Sequence, residues 1–184
     1  MPMSEQAVRT EKITKRVLLD LDRCVECGSC AAACYHSHVG MPIIQSARQG
    51  PALLPVICRQ CKAAPCVDAC PVEAMVQDAY GVARRCLVRC IGCGSCARAC
   101  PFGVLPNHLS GTPAGSRSPG RMTGHQIAKC DLCADRTASG SGVPRCVAAC
   151  PAGALQFEDE HNAVDAKLLV VGGRTVGEHP FKRR

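Results

Sequence analysis

The 184-residue chain holds 17 cysteines, and they stand in four runs: Cys24, Cys27, Cys30 and Cys34; Cys58, Cys61, Cys66 and Cys70; Cys86, Cys90, Cys93, Cys96 and Cys100; and Cys130, Cys133, Cys146 and Cys150. Each run reduces to three cysteines followed, after three intervening residues, by a fourth. That is an internal repeat, and each copy must specify one local structure. Four residues before the first cysteine of the reduced runs stand Asp20, Leu54, Cys86 and Gln126. This position carries no fixed chemistry, so Cys86 is the spare cysteine.

Little else in the chain can build an interior. Without its cysteines the hydrophobic fraction falls from 47% to about 38%, and the aromatic residues are three Phe and two Tyr with no Trp. A chain so composed buries too little surface alone, and whatever the cysteines bind should complete the core. The amino terminus, "MPMSEQAVRTEKITKRVLLDL", flanks a short apolar run with charges on both sides. It reads as neither a cleavable signal nor a twin-arginine address, and no stretch is apolar for long enough to span a bilayer. The expected location is cytoplasmic, where thiols stay reduced and cysteine runs mean metal rather than disulfides. Export alongside a partner that carries its own signal is the alternative.

The spacing C-x2-C-x2-C wraps a tight loop round one corner of a cubane iron-sulfur cluster, giving three thiolates to three irons. The fourth iron takes a cysteine from elsewhere; in two-cluster bacterial ferredoxins the next cysteine, with proline behind it, serves the other cluster. Cys100, followed by Pro101, is therefore expected to serve a cluster other than that of its own run. Zinc accepts C-x2-C pairs but has no need of a third cysteine close behind, repeated along the chain. "CLVRCIGC" has the C-x3-C-x2-C spacing of radical S-adenosylmethionine enzymes, but that choice strands Cys96 and Cys100, breaks the repeat, and needs a barrel this chain is too short to form. Cys86 reads as a small buried hydrophobe on a strand. His36, His38, His108 and His125 read as loop residues or neighbours of the clusters, because the thiolates already close every site.

The formal charge of +7 counts each cysteine as neutral. An oxidised cluster core of 2+ with four thiolates is −2, so four such sites bring the total to about −1. The basic excess balances the cofactors, and with no aromatic stacking set nucleic acid is not an expected partner.

Around each run the pattern predicts a short strand, a cluster loop, a short helix and another strand. Leu21, Pro55, Leu87 and Ile127 stand three residues ahead of the runs and mark the incoming strand. Behind the fourth cysteine three of the four runs carry proline, then mostly small residues and an aliphatic stretch, which suits a short helical turn leaving the cluster and entering the next strand. Residues 104–129, "VLPNHLSGTPAGSRSPGRMTGHQIAK", contain no acid and carry Arg117, Arg121 and Lys129; they read as a solvated loop, with a partner-docking arm as the alternative. The tail after His161 has one strand-like piece, "KLLVV", and a basic end.

The runs "CVECGSCAAAC", "CRQCKAAPCVDACP", "CIGCGSCARACPFG" and "KCDLCADRTASGSGVPRCVAACPAGAL" resemble, in order, the motifs of the four-cluster electron-transfer subunits that accompany molybdenum or tungsten pterin oxidoreductases. These include the iron-sulfur subunits of dimethyl sulfoxide reductases, formate dehydrogenases and tungsten aldehyde oxidoreductases; similar subunits serve carbon monoxide dehydrogenases and membrane hydrogenases. The resemblance covers about Val17 to Phe157, including the absent proline after Cys34 and the wide gap from Cys133 to Cys146.

It implies an α+β fold of two nested bacterial-ferredoxin-like (βαβ)2 modules with four [4Fe-4S] clusters as core. The outer module would be 15–49 plus 107–160, the inner 50–106, with 161–184 as a tail. The implied ligands are Cys24, Cys27, Cys30 and Cys150 for cluster 1; Cys58, Cys61, Cys66 and Cys100 for cluster 2; Cys90, Cys93, Cys96 and Cys70 for cluster 3; and Cys130, Cys133, Cys146 and Cys34 for cluster 4. Cys86 is left as a non-ligand. Fully thiolate-ligated irons leave no open position, so the chain is expected to be a non-catalytic electron carrier. The implied partner is a catalytic oxidoreductase subunit, with a pterin enzyme acting on an aldehyde or formate favoured. A flavin subunit or further copies of the chain could stand at the other end. The alternatives are a freely diffusing polyferredoxin, or a subunit of a carbon monoxide dehydrogenase or hydrogenase.

Overall fold

The computed structural model describes residues 14–38, 43–49, 52–105, 129–137, 142–159, 169–170 and 174–175. The chain enters through β1 (Lys15–Leu19), whose Val17, Leu18 and Leu19 are all buried. Burial on both faces explains why an unbroken apolar triplet forms a strand here rather than an alternating one. β1 pairs antiparallel with β6 (Leu155–Asp159), setting Val17 opposite Phe157 and Leu19 opposite Leu155. At the outer end Lys15 faces Asp159 and Arg16 faces Glu158, opposite charges that favour this register. The start of the first repeat is thereby tied to the end of the fourth. β7 (Leu169–Val170), inside "KLLVV", pairs with the other edge of β1, and β8 (Arg174–Thr175) pairs with β7.

Between these strands the helices are short and each follows a cysteine loop. α1 is Ser29–Ser37, α2 Pro65–Asp68, α3 Ser95–Ala99, α4 Ala134–Thr137 and α5 Arg145–Ala148. α1 has nine residues and the others four or five, and each starts ahead of the fourth cysteine of its run, whereas the helical turn was expected behind it. Pro71, Pro101 and Pro151 follow the fourth cysteines and disfavour helical geometry in the residue before them, whereas Tyr35 after Cys34 lets α1 continue. In its place the three proline-bearing runs make a turn in which the carbonyls of Cys70, Cys100 and Cys150 accept from the N–H groups of Glu73, Gly103 and Gly153. α1 packs against α5 and α2 against α3.

The connecting strands form two hairpins, β2 (Gln45–Gln49) with β3 (Ala52–Val56) and β4 (Met75–Gln77) with β5 (Ala83–Arg85). The strand–loop–helix–strand unit is present in the first two repeats. In the third, Val104 and Leu105 are buried at the exit without forming a strand, and the lead-in to the fourth lies outside the described residues. Two incoming strands also end earlier than the pattern suggests: Leu21 and Leu87 lie in turns after β1 and β5, Pro55 sits within β3, and Ile127 lies outside the described residues. Cys86 is partly buried and one residue beyond β5, though its N–H still donates to the Ala74 carbonyl at 2.7 Å, continuing the ladder.

Cysteines form part of both buried clusters. Cys34 and Cys146 pack with Val17, Leu19, Ile57 and Phe157, and Cys96 packs with Met75, Val104 and Leu105. Burial at both described ends of the segment 104–129 corrects the expectation of an entirely solvated loop. Lys129 is only 8% exposed, and residues 106–128, with Arg117, Arg121, His108 and His125, lie outside the described residues.

Candidate functional site

Each cysteine loop turns at the same place. The residue two positions after the first cysteine has a left-handed backbone in all four runs: Glu26 at φ 56°, Gln60 at 51°, Gly92 at 71° and Leu132 at 59°. For residues with a Cβ this conformation costs about 1–2 kcal/mol. Successive N–H groups in such turns form the anion-binding concavities typical of iron-sulfur sites. A second left-handed residue, Gly28 or Gly94, caps α1 and α3 with no side-chain cap, and the serine of each "CGSC" comes next. Ser29 Oγ lies 3.3 Å from Cys27 Sγ and Ser95 Oγ 3.4 Å from Cys93 Sγ. These hydroxyls stabilise the ionised sulfur and lower both thiols below the ordinary range. The serines were legible in the repeated "CGSC" but do not stand out until the distances are known.

The folded chain gathers the cysteines in fours. One cavity, about 540 Å³ including its open mouth, is lined by Cys24, Cys27, Cys30 and Cys150. A second of about 360 Å³ is lined by Cys58, Cys61, Cys66 and Cys100. A third of about 320 Å³ is lined by Cys70, Cys90, Cys93 and Cys96. In each, three cysteines come from one run and one from another. Cys34, Cys130, Cys133 and Cys146 form a more buried group, in which Cys34 and Cys146 each feel the charge of Cys133, and Cys130 that of Cys146. Cys86 lines none of the three cavities.

The electrostatics of these groups fit an iron-sulfur cluster. Burial, and then the neighbouring Cys133, pushes the Cys34 thiol up to about 11; burial pushes Cys66 up to about 11 and, with Cys133 and Cys34 beside it, Cys146 to about 12. Cys130 is raised well above the ordinary range by burial and then by Cys58. Crowded sulfurs in low dielectric resist ionising together unless a positive centre joins them, and iron is such a centre. The third cavity also presents donors: Arg85 lines it, and its buried Nε and Nη1 find no hydrogen-bond partner among the described residues. Sulfur acceptors inside the cavity would satisfy them.

Sequence reading missed a buried polar bridge. Lys129 Nζ donates to Cys58 Sγ at 3.0 Å, to the Cys130 carbonyl at 3.1 Å and to Gln60 Oε1 at 3.4 Å. Gln60 Nε2 donates to the same carbonyl at 2.7 Å, while its Oε1 accepts from the Ala83 N–H at 2.9 Å. The left-handed turn at Gln60 therefore delivers a fully buried amide that joins the second run, the fourth run and β5. His38 stands beside a cysteine rather than in a cysteine quartet: its Nδ1 is 3.7 Å from Cys34 Sγ and its Nε2 is 3.5 Å from Asp131 Oδ1. His36 stacks edge-on against Tyr35.

Residues 89–155 match the family described as a 4Fe-4S dicluster domain, and residues 21–34 and 57–78 match a 4Fe-4S binding domain. The chain is 37% identical to an iron-sulfur protein of Rhodospirillum rubrum over 75% of its own length and 78% of that protein. It is 34% identical to the thiosulfate reductase electron transfer subunit PhsB of Salmonella typhi, over 77% of its own length and 73% of PhsB. It is also 32% identical to the putative oxidoreductase UacF of Escherichia coli; there the match takes in 85% of this chain but spans only 23% of the longer protein.

Proposed function

The chain belongs to the ferredoxin-type 4Fe-4S electron-transfer proteins and binds multiple [4Fe-4S] clusters, and from that premise we propose that it is a non-catalytic subunit carrying four of them in a line. The ligand sets are the four quartets named above, with Cys86 outside them. The observation that carries this reading is the make-up of the three cavities, each joining three cysteines of one run to a single cysteine of another. Bound there, the clusters supply one-electron transfer without an open iron for substrate.

The quartets adjoin in an order that differs from their order in the chain. Cys30 of the first acts on Cys34 and Cys146 of the fourth, and Cys58 of the second acts on Cys130 of the fourth. Packing of α2 on α3 links the second to the third. The resulting path, first to fourth to second to third, suits a nested arrangement with the outer module at 15–49 plus 107–160 and the inner at 50–106. The β1–β6 pairing supports the closure of the outer module.

A wire without a catalytic site serves a separate redox enzyme. PhsB is named for that role beside a thiosulfate reductase, and UacF as an oxidoreductase several times longer than this chain. We favour a cytoplasmic tungsten or molybdenum pterin subunit acting on an aldehyde or formate; a freely diffusing polyferredoxin is the second reading. No helix among the described residues is long and apolar enough to cross a membrane. Anaerobic native purification tests these readings together. The expected material holds about sixteen irons and as much sulfide per chain, with a second polypeptide and tungsten or molybdenum. About eight irons after full reconstitution would overturn the four-cluster assignment; a 19.4 kDa monomer with no second polypeptide, still shuttling electrons between enzymes, would favour the diffusible carrier.

A further inference from the structure

The charged residues beside the quartets differ: Lys129 touches a sulfur of the second quartet and meets the fourth at the Cys130 carbonyl, 3.1 Å away. Against the second cavity lie Lys129, in contact with Cys58 Sγ, and Arg59, whose guanidinium stacks 4.7 Å above the Phe102 ring. Arg85 lines the third cavity, with Nε and Nη1 buried and unpartnered among the described residues. The first cavity is lined by one charged residue, Glu26. Beside the fourth quartet stands Asp131, whose Oδ1 accepts from the Cys133 N–H at 2.9 Å. Arg145 also interacts with Cys133, but its guanidinium is held by two bonds of 3.0 and 2.7 Å to the Asp135 carboxylate, whose charge offsets its own.

We infer that Lys129 and Arg85 are positioning residues for electrons, making the second and third clusters the higher-potential pair of the four, and that electrons entering at the first quartet come to rest there. The inference depends on the ligand sets proposed above. Its physical basis is that adding an electron adds a negative charge, which a cation in direct contact with a ligand sulfur stabilises and a carboxylate opposes. Hydrogen bonding to sulfur acts in the same direction, and both residues are placed to provide it inside the protein, where charge is weakly screened. Each transfer moves one electron: the donor is oxidised by one and the acceptor reduced by one. No bond forms or breaks, and Lys129 and Arg85 keep their protons throughout. The reductant is the partner enzyme proposed above.

The test is an electron-paramagnetic-resonance redox titration of the reconstituted full chain and of K129M, K129R, R85M and R85K, each with iron and sulfide measured. With all iron retained, K129M should lower the midpoint of one cluster by at least 59 mV, a tenfold change for a one-electron couple, and R85M should lower that of a different cluster as much. K129R and R85K should stay near the wild-type values, because charge and not shape is being tested. Full iron in K129M and R85M with all midpoints unmoved would overturn the inference. So would loss of iron from both methionine variants while wild type keeps it, since the two residues would then be structural anchors. Failure of the wild-type chain itself to take up four clusters would instead defeat the ligand sets, and the inference with them.

Discussion

Single residues decide which cysteines share a cavity and which one does not. Cys86 occupies a position held elsewhere by Asp20, Leu54 and Gln126, lies just beyond β5 and lines none of the three cavities. Cys86→Ser should therefore keep full iron and an unchanged visible spectrum. Cys34→Ala should behave differently, because Cys34 is grouped with Cys133 and Cys146, about a hundred residues away in sequence. The expected outcome is loss or conversion of one cluster, with the spectral signature of the cluster at Cys24, Cys27 and Cys30 preserved. Disturbance of that first cluster alone would show that each run keeps its own fourth cysteine. These groupings were implied beforehand by the resemblance of the ordered cysteine runs to four-cluster electron-transfer subunits. Lys129 was not readable in the same way: it ends a basic stretch that looks solvated, and its burial follows from Gln60, 69 residues earlier in the chain, reaching across to the Cys130 carbonyl.

At the scale of an element, the turn after the fourth cysteine separates conformational strain from packing. Its third residue is left-handed in three repeats, at φ 49° in Glu73, 63° in Gly103 and 60° in Gly153. A Cβ at Gly103 would meet nothing within 4 Å, so Gly103→Ala should cost only the backbone term, about 1 kcal/mol. Glu73→Gly should have the opposite sign and slow unfolding, because Glu73 already bears that strain; the gain is smaller, under about 1 kcal/mol, since glycine also loosens the unfolded chain. Rates of bleaching of the visible band in guanidinium would measure both. The β1 strand was legible in the sequence from the apolar run "VLL", and so was a short helix in each repeat, but the helices start ahead of the fourth cysteine rather than behind its proline. The hairpin partners and the early ends of the incoming strands were not, because pairing across a sheet depends on residues far apart. Nor was β8, since Arg174–Thr175 has no apolar alternation and is defined by its pairing with β7.

Across the whole molecule the thiols stand where a larger protein would have aromatic side chains, and apolar side chains among the described residues form two modest clusters around them. Stripping the iron with a chelator under reducing conditions should consequently unfold it, seen as collapse of amide proton dispersion in NMR; a well-dispersed apoprotein spectrum would contradict this. The pairing of β1 with β6 adds a constraint in time. Cysteines of the second and third cavities span only Cys58 to Cys100, so both quartets are complete while the ribosome is still adding the remainder, although the second cavity gains Lys129 later. The first cavity waits for Cys150, and β1 for its partner at Leu155–Asp159, which at bacterial rates of about 5–20 residues per second is several seconds after Cys30 has appeared. During that interval three early thiols stand without their fourth. A nascent chain of this design therefore needs its first run shielded from oxidation and premature metal capture until translation is nearly over, whereas a message cut short after Leu105 still encodes two complete cysteine quartets.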